Sequence, residues 1–298
     1  AVDRRGNVVV VGNSNAGERC WRIYQFDSSG NLNWEREERA GDWFQARAYE
    51  VAVGPDGSVV VVGHLVAGWV VRKYDTNGLL SWQEVYTDVL SVPNGCAVDG
   101  VGNVLVVGWE NRENGEWEDW LIRKYDPNGS LLWSRSYGGA GHWIDNAWSA
   151  GFDAAGNAVV VGAEDGAVWL VQKYDIDGNL VWSKADRSAP FQVAYGVAVD
   201  DGGDALVVGF SAGRGLMRKY YSGGTLQWSK ELFDVRYARG VAFDRFCGFV
   251  VAGFYEAPEL GQGNNGVIHK YHDVVQGTLV ASASAPVYAV VGGNIRVV

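Results

Sequence analysis

Two short sequence units alternate along this chain, and their repetition constrains the fold more than any single motif does. The first reads "AVDRRGNVVVVG" from Ala1, "VAVGPDGSVVVVG" from Val51, "CAVDGVGNVLVVG" from Cys96 and "AGFDAAGNAVVVG" from Ala150. It continues as "VAVDDGGDALVVG" from Val197, "VAFDRFCGFVVAG" from Val241 and a partial "VYAVVGGNIRVV" from Val287. Between these copies lie "RIYQFDSSGNLNW" from Arg22, "VVRKYDTNGLLSW" from Val70, "LIRKYDPNGSLLW" from Leu121, "LVQKYDIDGNLVW" from Leu170, "LMRKYYSGGTLQW" from Leu216 and "VIHKYHDVVQGTLV" from Val267. The glycines that close the valine runs, Gly12, Gly63, Gly108, Gly162, Gly209 and Gly253, fall 44 to 54 residues apart.

Each unit is two short β-rich runs joined by a glycine turn, so one period reads as four antiparallel strands, here called A to D from the inside outward. That is one blade of an all-β propeller. Near-continuous runs such as Val8 to Val11 and Val59 to Val62 fit sheets that pack on both faces. The periodicity predicts a single domain with blades over 1–48, 49–94, 95–148, 149–195, 196–239 and 240–285, and a partial blade over 286–298. Seven inner strands against six C–D hairpins favour seven blade positions with the last incomplete; six blades is the alternative.

Residues 121–162, "LIRKYDPNGSLLWSRSYGG" followed by "WSAGFDAAGNAVVVG", carry Lys-Tyr-Asp-x-Asn-Gly, Leu-x-Trp, Gly-Gly and a β run closing on Gly. This pattern resembles the SBBP β-propeller repeat over essentially the whole chain. The resemblance implies an architecture and no chemistry. The Gly-Gly element survives only at Gly138 and Gly139, and the turn "YHDVVQGTL" of the sixth unit departs from the pattern.

The 298 residues are 47% hydrophobic and 20% charged, a globular composition, and no apolar run approaches the length of a membrane-spanning helix. A net charge of −10 opposes approach to nucleic-acid phosphates or anionic lipid. The expected partner is therefore a protein or a glycan, without membrane insertion, and edge-to-edge assembly through the incomplete blade is a further expectation. Cys20, Cys96 and Cys247 form no Cys-x-x-Cys pair. Neither a thiolate zinc site nor any cofactor fingerprint is signalled, and "DIDG" at 175–178 lacks the spaced ligands of a calcium loop.

Lys73, Lys124, Lys173, Lys219 and Lys270 share one repeat position, as do the tyrosines that follow them; residues repeated fivefold read as scaffold. Asp3, Asp99, Asp153, Asp200 and Asp244 read as turn carboxylates. Nine of the 14 Trp also repeat, whereas Trp43, Trp109, Trp117, Trp143 and Trp148 do not, and they lie on or beside B–C and D–A connections. Up-and-down connectivity places those connections together on one face, opposite the short A–B and C–D turns.

The segments running into strand A add Arg47, Tyr49, Glu50, Asn94, Asp145, Tyr195, Tyr237 and Arg239 around the inner mouth of that loop-bearing face. Three functions follow as expectations. The favoured one is a non-catalytic binding module, extracellular or at the cell surface, whose loop tryptophans meet a protein or glycan. The second is an enzyme, a lyase or hydrolase, using Glu50, Asp145 or Tyr195 as acid or base at the central mouth. The third is a structural subunit of a surface assembly.

Overall fold

The structure, a computed structural model, describes residues 1–14, 20–39, 46–65, 68–87, 90–111, 118–141, 143–244, 248–256, 264–272, 280–281 and 289–290. The first sheet holds β1 (Val8–Ser14), β2 (Cys20–Phe26) and β3 (Leu32–Arg39), and the second β4 (Arg47–Val53), β5 (Val59–His64), β6 (Trp69–Tyr74) and β7 (Leu80–Tyr86). The third holds β8 (Ser91–Val98), β9 (Val104–Asn111), β10 (Glu118–Tyr125) and β11 (Leu131–Tyr137). The fourth holds β12 (Asn146–Phe152), β13 (Ala158–Glu164), β14 (Val168–Tyr174) and β15 (Leu180–Asp186). The fifth holds β16 (Gln192–Val199), β17 (Ala205–Ser211), β18 (Arg214–Tyr220) and β19 (Leu226–Leu232). The sixth holds β20 (Tyr237–Phe243), β21 (Gly248–Glu256) and β22 (Asn264–His272), with β23 (Val280–Ala281) and β24 (Ala289–Val290) both pairing the outer edge of β22.

The expected all-β propeller is thus present, with six blades. The preference for seven is corrected by the two ends of the chain. Ala1 to Asp3 takes the inner position of the first blade, where Val2 bridges Val8 and Ala1 exchanges backbone hydrogen bonds with Val9. Ala289–Val290 pairs outside β22 and does not open a further blade. The rest of the last partial repeat lies outside the described residues.

Two-sided packing explains the valine runs directly. Val59 and Val61 enter the core shared with the first blade, while Val60 and Val62 enter the core shared with the third, and all four are fully buried. The alternation repeats in the fourth blade, where Ala158 and Val160 face backward and Val159 and Val161 forward. At the two ends of the series the corresponding Val8 and Val10 of the first blade are exposed, as is Ile268 on β22 of the sixth.

Blades are also latched along the short-turn face. The strand D indole N–H of Trp34, Trp82, Trp133 and Trp182 donates to the carbonyls of Thr76, Pro127, Ile176 and Ser222 in the C–D turn of the next blade. The turn glycine then lies over that indole: a Cβ on Gly178, whose φ is +79°, would fall 2.6 Å from Trp133. The Asn-Gly turn and the Leu-x-Trp strand are therefore two halves of one interblade contact.

The repeated lysines have the structural role expected of them. Lys124 is fully buried, donates to Gly156 O at 3.2 Å and lies 3.8 Å from Asp99, while Lys173 pairs with Asp153 at 2.9 Å and Lys270 with Asp244 at 2.8 Å. Asp175 accepts the N–H groups of Asp177 and Asn179 together with the Asn179 amide. Asp27 makes the same three contacts in its own turn, so the "DIDG" carboxylate is a turn clasp like its sister.

Candidate functional site

The inner strands pack one against the next, β4 on β8, then β12, β16 and β20, around the propeller axis, and β1 of the first blade lies against β4. Five of them break register at the same repeat position, so that Tyr49, Asn94, Trp148, Tyr195 and Arg239 are each an extra residue in the ladder. A β-bulge kinks its strand and re-aims a side chain out of the normal alternation. Here the kink drives the inner backbone toward the neighbouring strand. A Cβ on Gly63, Gly108, Gly162 or Gly209 would lie 2.0 Å from the carbonyl oxygen of Arg47, Val92, Asn146 or Val193 respectively. From Gly63 onward the glycine that closes the valine run is thus the partner of a bulge, and the bulge builds a ring of unlike side chains near the loop-bearing end.

On one arc of the ring the side chains stack. The Arg239 guanidinium carbon lies 3.7 Å from the Tyr195 ring centroid, with Tyr237 at 5.9 Å and Phe254 at 5.8 Å. Tyr237 is itself held between Phe210 and Phe254 at 4.8 and 4.9 Å, and Trp148 meets Tyr195 edge to face at 5.7 Å. On the opposite arc Tyr49 meets the His64 ring edge to face at 5.5 Å, and His64 Nε2 lies 3.1 Å from Ser91 O. Burial, with the Arg47 charge assisting, keeps the His64 pKa below its ordinary value. Asn94 ties adjacent blades by donating to Ala147 O at 2.9 Å.

Glu50 follows its bulge directly. The equivalent residues are Gly95, Ser149, Gly196 and Gly240, where the inner strands approach so closely that a Cβ on Gly95 would lie 2.7 Å from Trp148 O. Glu50 alone carries a charge at this level. Its carboxylate is open to solvent on the inner wall yet enclosed by neighbouring blades, within electrostatic reach of Cys96 on one side and the Ala1 amine on the other. Enclosure raises its pKa above the ordinary carboxylate value; the Val51 N–H at 3.1 Å and the Ala1 amine oppose that shift.

Asp145 is placed differently from the inner-mouth position expected of it. It is 1% exposed in the loop before β12, where Oδ2 accepts the Gly139 N–H at 2.7 Å and Oδ1 the Asp165 N–H at 2.6 Å. It clasps a D–A loop to a B–C turn. Desolvation lifts its pKa to about 6, against the opposing effect of those two hydrogen bonds. The fold thus binds this proton more tightly than the unfolded chain, so its contribution to stability is complete below about pH 4 and lost as pH rises through about 6. In urea melts, wild type should lose more stability than Asp145→Asn between pH 4 and 7. Parallel pH profiles would refute this expectation.

The non-repeating tryptophans do not gather into one exposed surface among the described residues. Trp43 and Trp117 lie outside those residues. Trp109 is half-buried within β9, opposite Val92 and Trp120, and Trp148 belongs to the bulge ring. Trp143 is 65% exposed. Nor is the loop face uniformly long-looped, because a three-residue turn, Asp165-Gly166-Ala167, joins β13 to β14 and a two-residue turn, Ala212-Gly213, joins β17 to β18, with positive φ at Asp165, Gly166, Ala212 and Gly213. Sequence reasoning missed Phe210 and the part played by His64. The signal for the first was present, since phenylalanine directly follows the closing glycine only at Phe210 and Phe254.

No family model matches the chain, and no curated protein matches it. A solved gluconolactonase from Xanthomonas campestris is similar in structure, with a TM-score of 0.50 and 16% sequence identity over 79% of each chain. At that identity the likeness is one of fold. The expectation of a non-catalytic binding module is nevertheless corrected: the similar structure is an enzyme, and the tryptophan face that motivated the module is not assembled by the described residues.

Proposed function

We propose that this propeller is a hydrolase that opens small polar esters at the loop-bearing mouth of its axis, with Glu50 as the general base. The observation that carries the reading is the lone carboxylate at a position where the other bulged blades have glycine or serine, its pKa raised by enclosure. A base held in that way is closer to proton-transfer range at neutral pH than a free glutamate. In the proposed step Glu50 takes a proton from water as the water oxygen bonds to the ester carbonyl carbon. The C–O bond to the leaving oxygen then breaks, and the Glu50 proton passes to that oxygen, giving an alcohol and a carboxylic acid that releases its remaining proton to solvent as it ionises. For a cyclic ester both remain in one product.

The similar structure is a gluconolactonase, so a sugar lactone is the first substrate to assay. The SBBP-like repeat belongs to this reading as scaffold, its Asn-Gly turn and Leu-x-Trp strand supplying the latch that fixes the inner strands. Glu50→Gln should lower kcat by about 100-fold or more, the usual contribution of a positioned general base. Wild-type activity should rise with pH through the pKa of Glu50. Lactone hydrolysis in Glu50→Gln at the wild-type rate, at unchanged melting temperature, would remove the proposal.

A further inference from the structure

We infer that Arg239 is a carboxylate anchor, and that the ligand of the mouth is a hydroxylated acid or the ester that yields one. The inference rests on the proposed function in taking the mouth as the ligand-binding end and a lactone as its substrate; the carboxylate preference itself rests on the geometry of Arg239.

Arg239 is the bulge residue of β20 and is exposed. Its planar head lies 3.7 Å from the Tyr195 ring centroid and is flanked by Tyr237 and Phe254, so stacking holds the stem and fixes the plane of the fork. Among the described residues no hydrogen bond or ion pair engages its N–H groups. Other arginines of this acidic chain are committed: Arg72 to Glu38, Arg187 to Glu164, Arg214 to Glu231 and Arg218 to Asp186. An exposed guanidinium propped by aromatic rings and left without an acceptor presents two parallel donors that match a carboxylate. A lysine would supply the charge without that fork. Around it, Trp148 and Tyr195 offer apolar edges for the C–H faces of a polyol chain.

Hydrolysis of a lactone creates a carboxylate, so an anchor of this kind would hold the product and the charge developing toward it. It would discriminate a hydroxy acid from a polyol of the same length that lacks the acid.

The experiment measures binding of gluconate and of glucitol by titration calorimetry, to wild type, Arg239→Lys and Arg239→Met, with melting temperatures as a control for folding. Gluconate should bind at least about tenfold more tightly than glucitol, a difference of about 1.4 kcal/mol. Arg239→Lys should retain part of that preference and Arg239→Met none, and added salt should weaken gluconate alone. Equal binding of the two polyols to wild type would overturn the inference, as would a preference that survives in a folded Arg239→Met. Lactone hydrolysis by Glu50→Gln, measured in parallel, separates the two proposals. Undiminished turnover there, with the gluconate preference lost in Arg239→Met, removes the general base and leaves the anchor; the reverse pattern removes the anchor alone.

Discussion

Replacing Gly209 with alanine should destabilise the protein by about 3 kcal/mol, while the same replacement at Gly12 should be close to neutral. Both glycines close a valine run at the same repeat position, so sequence alone assigns them one role. The structure separates them. A Cβ on Gly209 would lie 2.0 Å from Val193 O and 2.8 Å from the Trp169 indole, and the nearer obstacle is backbone that cannot swing aside. A Cβ on Gly12 meets nothing within 4 Å, because the inner strand of the first blade is only the short Ala1–Asp3 segment and presents no bulged carbonyl there. Removing glycine from a strand also lowers the entropy of the unfolded chain, which at an unobstructed site favours the variant by a few tenths of a kcal/mol or more. Urea melts of the two variants decide the matter: equal losses would mean that the glycine serves strand geometry in general and not the bulge.

That contrast separates what is legible in the sequence from what only the fold assembles. The blade was, because the repeat fixes four strands, a shared valine core and a turn at each end. The blade number was not. Ala1 to Asp3 reads as a full copy of the first unit although it supplies a single bridge, and the pairing of Ala289–Val290 with the outer edge of β22 follows no repeat signal. Tyr49, Asn94, Trp148, Tyr195 and Arg239 were legible as residues entering strand A. Their common register break was not, because alternation read from sequence assumes an unbroken ladder, and one inserted residue transfers every later side chain to the other face.

Asp145 illustrates a different limit. Its neighbours in sequence place it beside strand A, but its partners are Gly139 and Asp165, one from each of two loops, and only their meeting in space makes it a clasp. The tryptophans show the same limit. Departure from the repeat marked Trp109 and Trp148 as unusual without telling whether strand, ring or solvent receives them.

Trp133→Ala should cost about 3 kcal/mol or more, and combining it with Gly178→Ala should cost less than the two changes summed. The indole of Trp133 is 7% exposed, donates to Ile176 O at 3.0 Å and stacks 6.2 Å from the Tyr174 ring. Its loss therefore opens a cavity between the third and fourth blades and leaves the turn carbonyl to water. Gly178→Ala carries two penalties, a φ of +79° that alanine resists and a Cβ placed 2.6 Å from that same indole. Once the indole is gone the second penalty vanishes and only the backbone penalty, about 1 kcal/mol, remains. The coupling should therefore favour the double variant by about 1 kcal/mol or more. Additive losses would place the glycine's role in the turn conformation alone, and the tryptophan and the glycine would then be neighbours without forming a latch.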